Sequence, residues 1–241
     1  MPTTLLALET ATDVCSVALL RDGAVTAQAS LHQPRVHAEQ LVPLTDNLLD
    51  RAAVDRAELD AIAVSMGPGS YTGLRIGVST AKGLAMALDA ALIGVPTLEA
   101  LAASVHPFAA DGDVACALLD ARRDEVYAAA YAVTRDGLAP SAPTSARSVD
   151  TLPEWLGAVD GTCWLVGDGA EKAADALREA GYAGCVLSPE VHPPSATWVA
   201  RRAWPRLQRG ATEDVASFEP YYLKAFAGDQ PDTTPFERLS F

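Results

Sequence analysis

The stretch Ser65-Met66-Gly67-Pro68-Gly69-Ser70-Tyr71-Thr72-Gly73-Leu74-Arg75-Ile76-Gly77 constrains this chain most, because it joins a short apolar run to a long helix of small residues. Leu59–Ser65 reads as a buried strand. Gly67-Pro68-Gly69 stops it, since proline cannot donate to a ladder and glycine reaches backbone angles that other residues resist. Residues 73–88 then hold no proline, and Arg75 and Lys82, seven apart on nearly one line, are their only charges. A helix so apolar must be covered on most sides. Gly73, Gly77, Ala81 and Ala85 form one row of small residues, and Ser79, Gly83 and Ala87 form another. Rows of this kind let a second backbone approach closely. The loop itself permits two readings. It is an anion site at a helix N-terminus, or it is a tight connection packed between layers. It is neither a P-loop, for no Gly-Lys-Ser/Thr follows, nor a three-glycine dinucleotide turn.

Gly67–Gly77 closely resembles the signature of the bacterial TsaB (YeaZ) family, whose members take part in making threonylcarbamoyladenosine in tRNA. Leu6-Ala7-Leu8-Glu9-Thr10-Ala11-Thr12 and Pro220-Tyr221-Tyr222-Leu223-Lys224 look like the same family, so the resemblance covers nearly the whole chain.

The chain begins as a meander, with strands at Leu5–Leu8, Val14–Leu20 and Ala24–Leu31 and a hairpin signal at Arg21-Asp22-Gly23. A helix over 36–52 follows, with Leu41, Leu44, Leu48 and Leu49 on one stripe and Pro43 inside it. Next come the strand at 59–65, the helix over 73–88, a strand at 91–95 and a helix over 98–105 capped by Thr97. The order β-β-β-α-β-α-β-α belongs to the actin, sugar-kinase and Hsp70 class (ASKHA), and the second half repeats it. Its strands fall at 113–120, 125–131, an irregular segment in 137–153, 163–166 and 186–187, with helices over 170–180 and 196–207. The expectation is an α/β chain of two actin-like subdomains, 1–108 and 109–225, each with a mixed sheet, and a mobile tail at 226–241.

A nucleotide cleft in this class needs glycines in the turns after each first strand, so that backbone N–H groups can reach phosphates. Here those turns are Glu9-Thr10-Ala11-Thr12-Asp13 and Asp120-Ala121-Arg122-Arg123-Asp124, and neither contains glycine. Gly167-Asp168-Gly169 reads equally as the border of an adenosine site or as a turn and cap. Eighteen basic against 31 acidic residues give a net charge of −13, which repels phosphate backbones, so tight binding of tRNA by this chain alone is not expected. Cys15, Cys116, Cys163 and Cys185 form no CxxC pair, and no Gly-x-Ser-x-Gly elbow occurs. The carboxylates Glu9, Asp13, Asp120 and Asp124 suit a cleft acid–base pair or turn and cap roles. With no basic region ahead of an apolar N-terminal stretch and no run of membrane-spanning length, a cytoplasmic protein is expected.

The resemblance implies more. The catalytic relative TsaD carries two metal-binding histidines four apart on its first long helix, and the matching positions here are His37 and Leu41, which breaks the pair. The implied role is a non-catalytic subunit, without cofactor or metal, that pairs with TsaD and works with the ATPase TsaE, or forms a homodimer. The partner surface is expected on the helices 36–52 and 73–88, through Leu41, Leu44, Leu48, Gly73, Ile76, Gly77, Ala81, Gly83 and Met86. The rival reading is an ATP-dependent kinase or hydrolase of the sugar-kinase type.

Overall fold

The structure is a computed structural model that describes residues 2–157, 159–182, 185–187 and 194–224. The expected tail at 226–241 and His192 lie outside the described residues.

The first lobe holds β1 (Thr4–Glu9), β2 (Val14–Arg21), β3 (Ala24–His32), α1 (His37–Ala52), β4 (Ala61–Gly67), α2 (Tyr71–Leu88), β5 (Ala91–Pro96) and α3 (Thr97–Ala103). The second holds β6 (Val114–Asp120), β7 (Glu125–Thr134), β8 (Gly137–Ser148), α4 (Leu152–Leu156), β9 (Cys163–Val166), α5 (Ala170–Glu179) and β10 (Cys185–Leu187), and α6 (Ala196–Gln208) follows. The sheets run β3-β2-β1-β4-β5 and β8-β7-β6-β9-β10. In both, the first three strands are antiparallel and the last three parallel.

Strands covered on both faces read as continuous apolar runs, and β1, β2 and β4 do so. Their alternation divides the core. Leu6, Leu8, Val17, Ile62 and Val64 meet α1 and α2, whereas Leu5, Ala7, Ala18, Ala61 and Ala63 meet α6. Alanines on that second face let α6 lie close through its own Ala196, Ala200 and Ala203.

The division at 108/109 needs correction on this point. Helix α6, assigned by sequence order to the second unit, packs on the first sheet, while Leu98, Leu101, Ala102 and Val105 of the α3 region pack on the second. The two units thus exchange their last helices. Periodicity says which face of a helix is apolar but not which sheet that face will meet.

Smaller differences have local causes. The N-cap of α3 is Pro96, and the Thr97 hydroxyl instead accepts from the Gly67 amide at 3.2 Å. Asp55 and Glu58 form a capping box that delays β4 to residue 61, and the short α4 was not expected. Pro43 sits on the exposed side of α1.

Candidate functional site: the glycine loop, the interlobe cleft and the outer face of α2

The glycine loop is closed by protein. The Ser70 amide donates to the Ala11 carbonyl at 2.7 Å, the Ser70 hydroxyl accepts from the Gly73 amide at 3.3 Å, and the Thr10 hydroxyl donates to the Gly73 carbonyl at 2.8 Å. A Cβ at Gly69 would overlap the Ala11 carbonyl oxygen, one at Gly73 that of Thr10, and one at Gly77 the Thr10 hydroxyl. These glycines exist so that the β1–β2 turn can lie against α2. The packed-connection reading is the one the structure gives.

Carboxylates line the cleft turns. Glu9 is fully buried; it accepts from the Ala11 amide at 2.6 Å and from the Ser65 hydroxyl, and burial pushes its pKa up to about 7. In the second lobe, burial works against the Asp120 carboxylate, but hydrogen bonds from Lys172 and the Arg122 amide hold it below the ordinary range. The Asp168 carboxyl accepts from the Asp120 amide at 2.8 Å and is raised by burial and then by the charges of Asp120 and Asp13. Asp13 belongs to the opposite lobe. The flanking glycines are used in packing: a Cβ on Gly167 would overlap the Leu118 carbonyl, and one on Gly169 would lie 2.9 Å from the Leu119 carbonyl carbon.

His37 is buried with Nε2 3.2 Å from the Val14 carbonyl, and His106 lies 3.1 Å from that of Thr134, while His32 is exposed. Among the described residues no three His, Cys, Asp or Glu side chains are gathered for a metal ion.

The nine residues assigned to a partner surface divide, and five need correction. Leu41 and Leu48 are buried in the core between α1 and the first sheet, and Gly73, Gly77 and Ala81 are buried against that sheet and its β1–β2 turn. They face inward because an amphipathic stripe first covers its own sheet. Leu44 and Ile76 are half-buried. Gly83 is exposed with open space where a Cβ would stand, and Met86 is 73% exposed. The second small row, Ser79, Gly83 and Ala87, is therefore the outward one, with Val42 of α1 also bare.

Lys82 donates to the carbonyls of Ala216 (3.1 Å) and Phe218 (2.8 Å), in a segment that returns along α2 after α6. Arg75 lies over the Tyr71 ring at 4.3 Å. No periodicity announced the returning segment, and its one sequence signal was the run Pro220–Lys224.

Two sheets of equal topology with exchanged final helices define an actin-like protein of the ASKHA class. The fold is shared with component A of (R)-2-hydroxyglutaryl-CoA dehydratase from Acidaminococcus fermentans, at TM-score 0.52 and 10% identity over 86% of this chain and 99% of that one. Residues 24–158 match the family described as TsaD: tRNA N6-adenosine threonylcarbamoyltransferase. The chain is 34% identical to the tRNA threonylcarbamoyladenosine biosynthesis protein TsaB of Escherichia coli K12 over 91% of its length and 94% of the relative's. It superposes on the structure of YeaZ from Pseudomonas aeruginosa with TM-score 0.79 and 29% identity, covering 92% of this chain and all of that one. The chain belongs to the TsaB family.

Proposed function

We propose that the chain is a non-catalytic subunit in the synthesis of threonylcarbamoyladenosine on tRNA. In this reading it supports a TsaD enzyme, together with the ATPase TsaE, in transferring threonylcarbamoyl from an adenylate to the adenosine beside the anticodon. The observation that carries the reading is the state of the cleft. Turns that would cradle phosphates in this fold class hold carboxylates instead, and the glycine loop is pressed onto Thr10 and Ala11. The outer face of α2, with Ser79, Gly83, Met86 and Ala87 bare, supports a partner role, because small side chains let a second helix approach closely. TsaD is the proposed occupant, a second copy takes its place when TsaD is absent, and the cytoplasm is the compartment this role requires.

Reconstitution tests the proposal. TsaD and TsaE of the same organism, unmodified tRNA and threonylcarbamoyl-adenylate are combined with and without the chain. Modification that depends on the chain, while the chain alone transfers nothing, is the expected result. Equal rates without it would overturn the role. A gel shift should show tRNA held no better than weakly by the isolated chain, given its charge of −13. The kinase or hydrolase reading predicts a large thermal shift with Mg-ATP, because a ligand stabilises the state it binds.

A further inference from the structure

After α6 the chain crosses the molecule a second time. The Glu213 amide donates to Leu92 on the edge strand β5 at 2.8 Å, and the Phe218 ring is buried over Gly94, 2.8 Å from where a Cβ would stand. Lys82 holds the carbonyls of Ala216 and Phe218. Tyr221 donates its amide to Met66 at the end of β4 at 2.7 Å, and its carbonyl fills the place of a Cβ on Gly67. The Tyr222 ring stacks on Tyr71 with centroids 4.8 Å apart. At Lys224 the chain has reached the second lobe. Its ammonium group donates to the Ala121 carbonyl at 3.0 Å and the Glu125 carboxylate at 2.6 Å, with the Tyr127 ring 5.6 Å away.

We propose that residues 213–224 form an interlobe clamp, with Lys224 as its clasp, that holds the two lobes at a fixed opening. With Tyr221 fixed on β4, the three residues to Lys224 can span at most about 10 Å, so a closed clasp leaves the lobes little freedom. The clasp sits on the β6–β7 turn, between Ala121 and Glu125. Fixing it also fixes α2 relative to the second lobe.

The test is an interlobe distance. Spin labels at Ala57→Cys and Ser141→Cys, exposed positions on opposite lobes, are read in the full chain, in Lys224→Met and in Glu125→Gln, with circular dichroism melts to confirm folding. Lys224→Met should lengthen and broaden the distribution by several ångströms. Glu125→Gln should give a smaller widening, since the Ala121 contact survives; it carries the test if Lys224→Met does not fold. An unchanged distribution in the folded variants overturns the clamp.

Discussion

The Thr10 hydroxyl donates to the Gly73 carbonyl at 2.8 Å, while the Thr10 carbonyl occupies the place that a Cβ on Gly73 would take. One residue of the first turn therefore holds α2 by a side chain and bars it from any side chain of its own. Gly73→Ala should destabilise the chain by about 3 kcal/mol or more, because the overlapping atom is backbone and cannot step aside. Gly83→Ala, ten residues along the same helix, meets open space and should stabilise it by about 0.5–1 kcal/mol through helix propensity. Denaturant midpoints of the two variants check both signs.

Much of the fold was legible because its signals are local. Alternation and apolar runs place eight of the ten strands among the described residues within about two residues, and the repeat of three strands followed by strand–helix pairs gives the architecture. What sequence could not carry is which surface a face meets. The stripe Leu41, Leu44, Leu48 suits a surface for a partner as well as a core face, yet Leu41 and Leu48 cover the chain's own sheet. Of two similar small rows on α2, spacing could not say that the row with Gly73 lies inside and the row with Gly83 outside. The returning segment has no period at all. It meets Leu92, Lys82 and Met66 through its own backbone amides and carbonyls, and such bonds leave no residue pattern.

Glu9 gives a pH dependence of definite sign. Its carboxyl is neutral in the folded chain up to about 7, against an ordinary value of 4.5. Between those values the folded state keeps a proton that the unfolded chain has released, so stability falls as pH rises through that window and levels off above it. The full effect is about 3 kcal/mol. Glu9→Gln can still accept from the Ala11 amide and should remove this slope, so that it equals the parent near pH 4.5 and exceeds it above pH 7. Urea titrations of both proteins across the window read the difference directly, and parallel curves would refute it.

The contact between the exchanged helices rests on Glu99, whose carboxylate accepts from Arg202 Nε at 2.8 Å and Arg206 Nη2 at 2.7 Å with its side chain only 13% exposed. Removing it by Glu99→Ala leaves two half-covered guanidinium groups without their shared counter-charge. A loss of about 2 kcal/mol is expected, below the 3–5 of a fully buried pair, because both arginines reach water. Arg206 retains its bond to the Gly94 carbonyl, so Arg202→Ala alone should cost less. Thermal melts of the three proteins give the order.

The outer face of α2 gives the sharpest test of the partner role. Gly83 stands in the middle of the outward row with open space around it, so Gly83→Arg should not lower the melting temperature of the isolated chain and, through helix propensity, should raise it slightly. The same side chain would prevent another helix from approaching within the 8–10 Å of packed axes, and affinity for TsaD should fall by at least about 100-fold, some 3 kcal/mol. Ala81→Arg, two residues earlier, should unfold the chain instead, because Ala81 is completely buried. Met86→Glu puts charge on the exposed end of the same strip and should weaken the complex without unfolding the chain. Light scattering with and without TsaD, beside circular dichroism, separates the outcomes. If Gly83→Arg and Met86→Glu both remain folded and assemble with undiminished affinity, the surface that meets TsaD is not the outer face of α2.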